Sequence, residues 1–416
     1  MRSETGRDRR DRRGDAGGDR RRRSIAARIG IVTLTGMMFA IVVRGLAGCG
    51  GSPDDLFTNN PDFTATKNER LGRVLTTTGE SFAAPAYVAF ADAASALETE
   101  TATFCQAPSA DHLRTVQAAW RRTMSAWLFA SVPVFGPIRD DNRSLRIEFW
   151  PDANNNVPRA VEQLLASGEP ISADVLAGRS VAAQGLPALE QLLFDPDADP
   201  LTAFADPSSG GRRCDAIRAM STNVAAIAAD VAAAWQPSRG DYAGQLARSG
   251  VEGGAFATRG AAVEEVVNSM ITLIERTKND RLAKPLALPG GENPVLARAE
   301  SHRSRTSVAN IARTLEALQS LYLGGGEGTE TGFGFDDFLR LGTEASLDGR
   351  IQRLFESTID HARSLPASFT DLLADPAAQA ELATLFSELT ELTGLLKNDL
   401  AEATGVIVGF NENDGD

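Results

Sequence analysis

The residues best suited to ligand or metal chemistry lie in two separate stretches, and the first contains a glutamate. Glu190 follows a helix break that we predict at Gly185 and Pro187, because proline lacks an amide hydrogen and clashes with the preceding turn. The free N–H groups and the dipole of the restarted helix would favour its carboxylate. Neighbouring leucines predict that it is partly buried at the edge of an apolar stripe. We therefore expect a ligand-binding carboxylate or, as the alternative, a glutamate that caps a helix or forms a salt bridge.

The second stretch contains the best-placed histidine. The three histidines of the chain are His112, His302 and His361, and no two of them share helical spacing. His302 is followed by Arg303 and Ser304, which could donate hydrogen bonds to an anionic ligand or to Glu190 itself. The alternative is a surface histidine beside an ordinary helix start, with Ser304 as the N-cap.

Two cysteines are candidates for a disulfide. If Cys49 carries a lipid, Cys105 and Cys214 remain, and an exported chain sits in an oxidising compartment where they can pair. The alternative is two unrelated buried thiols. Two cysteines without nearby histidines make a poor zinc site.

The N-terminus predicts a secretion signal that ends in a lipobox. Basic residues 20–23 precede an apolar stretch over 25–43, which Arg28 interrupts, and small residues then lead to Cys49. We expect residues 1–48 to be removed, Cys49 to carry the lipid and residues 49–60 to form a flexible tether. The alternative is a transmembrane anchor, but the uninterrupted apolar stretch over 29–43 is shorter than the roughly 20 residues needed to span a bilayer. Gly50 stands where inner-membrane retention usually has an aspartate, which favours the outer membrane and a periplasmic location.

Charge is distributed unevenly along the chain. The net charge is −13, yet residues 1–48 carry 12 arginines against 5 acidic residues, so the remainder carries −20. Such a surface repels nucleic-acid phosphates, and we expect no nucleic-acid partner. It would attract cations, or it simply keeps the protein soluble.

Composition and periodicity predict an all-α protein. Aromatic residues make up only 6% of the chain, while Ala, Leu and Glu are frequent. Apolar spacings of three and four predict helices over 74–97, 113–129, 172–194, 214–235, 255–278, 304–323, 345–365 and 376–403, with a loop over 195–211. Linker-like composition is richest over 236–254, so we expect two packed four-helix-bundle-like domains, over 61–240 and 250–416. Asp140, Asp141 and Glu148 add acidity near Trp150, and we expect these acidic side chains to be solvated.

Three stretches, taken in order, resemble the imelysin family. The first, over residues 120–194, contains Phe135-Gly136-Pro137, Trp150-Pro151 and Gly185-Leu186-Pro187-Ala188-Leu189-Glu190. The second contains Ser301-His302-Arg303-Ser304, and the third contains Gly405-Val406-Ile407-Val408-Gly409. Together they span nearly all of residues 60–416.

The resemblance implies two helical bundles with a functional cleft between them, a Gly-x-His-x-x-Glu motif in that cleft, and a link to iron uptake. Gly185 and Glu190 match the motif, but Pro187 stands where the histidine belongs and offers no lone pair to a metal. The resemblance and the local pattern together give Gly185, Glu190, His302, Arg303 and Ser304 as ligand-binding residues. Glu190 is the candidate ligand of iron or another divalent metal.

We therefore predict a membrane-anchored extracytoplasmic protein that binds a metal or small ligand and passes it to an iron-transport partner in the membrane. One alternative is a metallopeptidase, because imelysins were once classed as such. Hydrolysis needs a metal-activated water held by about three protein ligands, and the absent motif histidine counts against it. Another alternative is a non-catalytic interaction module with a vestigial cleft.

Overall fold

Helices account for all the regular secondary structure of the described residues, which confirms the all-α prediction. The computed structural model describes residues 65–195, 199–290, 293–327 and 331–409. Within these ranges no helix is long and apolar enough to cross a membrane. The predicted signal peptide, the tether and Cys49 lie outside them.

Long helices dominate the first part of the chain. Its α-helices are α1 (Lys67–Thr77), α2 (Ala84–Gln106), α3 (Ala110–Ala130), α4 (Arg143–Ile147), α5 (Asn156–Ala166), α6 (Ala173–Ala177), α7 (Leu186–Leu193), α8 (Pro200–Ala205), α9 (Gly210–Trp235) and α10 (Tyr242–Ala247). Helix α2 packs against both α3 and α9. The apolar residues of α3 that recur at spacings of three and four are buried, as the periodicity predicts.

The predicted disulfide joins two of these long helices. Cys105 near the end of α2 is bonded to Cys214 near the start of α9, with 5.5 Å between their Cα atoms. This prediction is confirmed, and the bond ties together chain positions 109 residues apart.

The second part of the chain also consists mainly of helices. Its α-helices are α11 (Arg259–Arg276), α12 (Lys284–Leu286), α13 (Ser307–Tyr322), α14 (Phe335–Arg340), α15 (Ala345–Ser364), α16 (Phe369–Ala374), α17 (Pro376–Gly394) and α18 (Ala401–Thr404). Helix α13 packs against α15 and also against α3 of the first part. Helix α1 packs in turn on α11.

Residues 236–254 are folded rather than extended as a linker, because α10 packs on α1. The described residues between 65 and 409 form one compact unit. The division into two bundles at this point stays a prediction.

Apart from the helices that π-helical turns interrupt, two segments differ from their predicted secondary structure. The block predicted as one helix over 172–194 is divided into α6, a 3-10 turn (Val181–Ala183) and α7. Gly185 caps the restarted helix and Pro187 occupies its first turn, so the break lies where the sequence predicts it. The loop predicted over 195–211 contains α8, whose start is capped by the side chain of Asp199.

In the part of the chain that the structure describes, three π-helical segments interrupt the long helices. They are Thr78–Ala83, Thr277–Ala283 and Leu395–Leu400. Each inserts a wider turn, and such turns are frequent at functional sites. The segment Thr277–Ala283 continues α11, and within it Asp280 and Arg281 are buried.

Candidate functional site

A cavity of about 110 Å³ lies where residues 120–191 meet residues 297–303. We call it the site cavity. The first wall includes Trp120, Met124, Glu148, Trp150, Pro187 and Glu190, and the second includes Arg298, Glu300, His302 and Arg303. Three of the five predicted ligand-binding residues therefore line it, namely Glu190, His302 and Arg303. Gly185 and Ser304 are not among the lining residues.

Gly185 allows two backbone segments to pack closely against each other. A Cβ atom at this position would lie 2.1 Å from the carbonyl oxygen of Ile147 and 2.7 Å from that of Arg146. Its φ of −110° is ordinary, so the position requires a glycine for space and not for conformation. The missing side chain lets α7 lie against the end of α4, and Glu148 is the residue that directly follows α4.

Glu190 is held from the opposite wall. The amide of Ser304 donates to its Oε1 at 2.7 Å, and the side chain is only 6% exposed. Arg121 donates to the carbonyl oxygen of the same Ser304 at 3.1 Å. The backbone N–H and the backbone carbonyl of Ser304 are thus both bound by side chains from the first part of the chain.

These contacts correct three expectations. Glu190 is buried and not partly exposed, and the backbone amide that bonds its carboxylate lies 114 residues away and not at the start of its own helix. Ser304 is not a helix N-cap, because α13 begins at Ser307 and the Ser304 hydroxyl donates to the carbonyl of Ser301.

The surroundings of Glu190 shift its pKa in opposite directions. Burial raises the pKa of Glu190, since the charged form loses its hydration. The bonds from Ser304 and the charge of Arg303 counteract that rise, and the charge of Glu300 adds to it.

His302 is the histidine of the site cavity. Its Nδ1 lies 3.2 Å from the carbonyl oxygen of Ala299. Burial and the neighbouring Arg303 lower the pKa of His302, so the imidazole is neutral at pH 7. The other histidines are engaged elsewhere, His112 with the carbonyl of Ala107 and His361 with Glu388.

Residues 299–306, which we call the 299–306 loop, have a constrained backbone. Ser301 and Arg305 adopt left-handed conformations with φ of 53° and 61°, which cost non-glycine residues on the order of 1 kcal/mol or more each. Glu300 anchors this loop: Arg281 Nε donates to its Oε1 at 2.9 Å, and the Asn310 amide donates to its Oε2 at 2.8 Å. Strain held in place by buried bonds is typical of binding and catalytic sites.

Arg281 and Glu300 form a buried ion pair behind the site cavity. The side chains are 1% and 3% exposed. Burial alone would raise the pKa of Glu300, but the Arg281 charge and its hydrogen bonds outweigh burial and lower it. The guanidinium groups of Arg276 and Arg281 lie 5.1 and 5.3 Å from the centre of the Trp150 ring, within cation–π range.

Glu148 is the site residue that the sequence reasoning misjudged. Asp140 and Asp141 are exposed as expected, but Glu148 is only 5% exposed. Trp127 Nε1 donates to Glu148 Oε2 at 2.7 Å, whereas no donor among the described residues reaches its Oε1. Burial, the charge of Glu300 and the hydrogen bond that protonated Glu148 makes with Glu300 raise the pKa of Glu148 to about 8, against the opposing effect of the nearby arginines.

The donor set of the site cavity argues against a multidentate metal centre. In the part of the chain that the structure describes, no group of three or more His, Cys, Asp or Glu side chains is disposed to hold a metal ion. A metal role for Glu190 therefore stays a prediction.

Comparisons with known proteins identify the family. The family model for imelysin, whose label also calls it a peptidase, matches residues 83–396, which is more than half of the chain. The chain belongs to the imelysin family. The matched region of this imelysin chain includes Glu148, Glu190 and the whole 299–306 loop, so the site cavity lies in the part that it shares with its family.

One curated relative is the iron-regulated protein A of Synechococcus elongatus. It is 24% identical over 242 residues, which cover 58% of this chain and 61% of the relative. The match thus spans about three fifths of that relative's length.

Two solved structures share the fold. An imelysin-like protein from Psychrobacter arcticum 273-4 has a TM-score of 0.65 at 24% identity, over 83% of this chain and 98% of its own. A putative iron-regulated protein A precursor from Parabacteroides distasonis has a TM-score of 0.66 at 16% identity, over 80% of this chain and 95% of its own.

Proposed function

We propose that this imelysin-family chain is an extracytoplasmic binding protein, anchored by lipid at Cys49, that takes up an iron-linked ligand in the site cavity. In this proposal the site cavity is the predicted cleft, and the bound ligand passes to a membrane partner. The family, together with the name of the Synechococcus relative, supports an iron-related role. The signal-like N-terminus supports export.

One observation carries the binding proposal. The site cavity brings together side chains from two distant parts of the chain, among them the carboxyl groups of Glu148 and Glu190 and the neutral imidazole of His302. A cavity on which a few polar side chains converge is suited to a ligand.

Calorimetry tests the proposal directly. Purified protein without its signal is titrated with ferrous ion, zinc ion and ferric citrate, and the titrations are repeated on Glu190→Ala. Loss of Glu190 releases the Ser304 amide and loosens the second wall, so we expect at least one iron species to bind the parent protein and to bind this variant tenfold or more weakly.

Glu162→Ala is the matched control, because Glu162 is an exposed glutamate on α5. It should bind as the parent does. Absence of heat with every iron species would overturn the binding proposal. Digestion of casein by the metal-loaded protein would instead favour a peptidase.

The anchor needs its own experiment. Cells expressing the full chain, or Cys49→Ala, are labelled with a radioactive fatty acid and separated into membrane and soluble fractions. We expect label and membrane association for the parent only. Equal label in both would overturn the lipid assignment.

A further inference from the structure

We propose that a second cavity of this protein binds an amphiphilic anion, a small molecule whose apolar chain or ring ends in a carboxylate or phosphate group. This cavity has a volume of about 470 Å³, and Lys278, Lys284 and Arg298 line it. We call it the basic cavity. Of these three residues only Arg298 also lines the site cavity, so the inference goes beyond the proposed function and does not depend on it.

Lysine is concentrated at the basic cavity. The sequence contains four lysines, Lys67, Lys278, Lys284 and Lys397, although lysine and arginine together number 42. Two of the four line the basic cavity, and a third, Lys397, donates to Oε1 of Glu275 in its lining at 2.6 Å. An ammonium group is a compact point charge on a flexible stem, and it is a common partner of phosphate. The clustering of so rare a residue indicates a local role for ammonium charge.

The acidic groups beside the basic cavity are already paired. Within the described lining the acidic side chain is Glu275, which is 6% exposed and pairs with Lys397. Asp280, whose side chain is 8% exposed, accepts from Lys284 at 2.8 Å. Each of these pairs is neutral, so the net charge of the basic cavity depends on its remaining cations.

Two cations of the basic cavity remain unpaired. Lys278 is half-buried and Arg298 is exposed, and neither side chain makes an ion pair or a hydrogen bond with the described residues. Asn279 and Asn293 add amide N–H donors to the lining. The chain as a whole carries a net charge of −13, so two uncompensated positive charges in one cavity are an exception on this protein. Such a cavity attracts anions and repels metal cations.

A π-helical segment forms part of the wall of the basic cavity. Lys278, Asn279 and Ala283 all lie in the segment Thr277–Ala283 and line the cavity. This segment packs against α17, which continues into the π-helical segment that contains Lys397. Widened turns of this kind are frequent at functional sites. The irregular backbone and the lysine cluster are independent observations that coincide at one place.

Apolar side chains complete the lining of the basic cavity. They are those of Ala283, Ala287, Leu288, Pro289, Val295 and Phe386. Val295 is 42% exposed, which is high for a large apolar residue. A bare phosphate would leave this apolar surface in water, whereas a ligand with an apolar body would bury it. The volume also falls within the range of roughly 300–1,000 Å³ that small-molecule sites occupy.

Calorimetry with matched probes tests the ligand class. Protein without its predicted signal is titrated at pH 7 with octanoate, octyl phosphate, inorganic phosphate and octyltrimethylammonium. We expect at least one of the two octyl anions to bind saturably at one site, and the tighter of the two assigns the head group. Inorganic phosphate lacks the chain and octyltrimethylammonium reverses the charge, so both should bind at least roughly tenfold more weakly.

Three results of these titrations would overturn the inference. Absence of binding by both octyl anions would exclude the ligand class. Equally tight binding of octyltrimethylammonium would show that charge is not recognised. Equally tight binding of inorganic phosphate would show that the apolar lining contributes nothing.

Variants of the two unpaired cations locate the bound anion. Lys278→Gln and Arg298→Gln should each weaken binding of the octyl anion by roughly tenfold or more, since each removes a charge-assisted partner. Arg350→Gln is the matched control, because Arg350 is an exposed arginine on α15, and it should bind as the parent does. Arg298 is exposed, so its replacement leaves the core intact, and circular dichroism checks the fold of both variants.

Lys278 separates the two cavities, because it lines the basic cavity and not the site cavity. Binding that is lost in Arg298→Gln but unchanged in Lys278→Gln would place the anion in the site cavity and overturn the proposal. Binding that is unchanged in both variants would overturn it as well.

The apolar part of the lining has its own variant. Val295→Asp introduces a negative charge at an exposed position of the basic cavity and should abolish binding of the octyl anion. Val251→Asp makes the same change at a valine that is 59% exposed and lies outside the lining, so it should bind as the parent does. Equal affinity of the two aspartate variants would count against the basic cavity as the site.

Discussion

Gly185→Ala should destabilise the protein because the new methyl group meets backbone. An added Cβ would lie 2.1 Å from the Ile147 carbonyl oxygen and 2.6 Å from its carbon, far inside an ordinary contact distance. Backbone atoms cannot rotate away, so α7 must shift relative to the end of α4. Overpacking in a well-packed core costs about 1–3 kcal/mol and occasionally more. We expect a loss of about 3 kcal/mol in the free energy of unfolding, measured by urea titration with circular dichroism.

Gly394→Ala provides the matched control. Gly394 has helical dihedral angles, and no atom outside its own local helix lies within 4 Å of an added Cβ. Alanine should stabilise the helix here by roughly 0.5–1 kcal/mol. The close-approach reasoning is refuted if the unfolding free energy of Gly185→Ala lies within about 0.5 kcal/mol of the parent value.

The remaining predictions concern buried charge and the disulfide. Arg281→Met should lower the unfolding free energy by roughly 3–5 kcal/mol in urea titrations, because it leaves Glu300 buried and unpaired. Glu148 has a folded-state pKa raised to about 8, so its stabilising effect is complete below its unfolded pKa of 4.5 and is lost as pH rises to about 8. The decline in stability over this window should be smaller in Glu148→Gln. Reduction of the Cys105–Cys214 bond, which encloses 109 positions, should lower the unfolding free energy by roughly 4–5 kcal/mol in the chain-entropy model, measured with and without reductant.

The helices were predictable because their signals are local. Apolar spacing in α3, the proline and glycine at the start of α7, and the glycine run after α13 each act within one or two turns. The π-helical segments were not predicted, since an extra residue in a turn is set by tertiary packing. The folded α10 within linker-like sequence has the same explanation, because its stability comes from contacts with α1.

The site was only partly predictable, for a related reason. Glu190 and the stretch from His302 to Ser304 were identified from sequence, and the structure joins them by one hydrogen bond. Glu148 was read as a solvated loop residue because nothing next to it in sequence reveals that it is buried and bonded to Trp127, 21 residues away. No sequence pattern marked Arg281 as a site residue. Its partner, Glu300, is 19 residues away, and its burial depends on the π-helical turn.

Pro187 changes what the site cavity can recognise. An imidazole at this position would add a lone pair on the wall that carries Glu190, and lone pairs are what a metal ion needs. Proline supplies none, and in this chain the Glu190 carboxylate is bonded to the Ser304 amide of the opposite wall. One acceptor remains on the opposite wall, because neutral His302 carries its proton on Nδ1, which faces the Ala299 carbonyl, and so keeps a lone pair on Nε2. Among the described residues no group of three His, Cys, Asp or Glu side chains is disposed to hold a metal ion, so any iron that binds in the site cavity is expected to bring further ligands of its own.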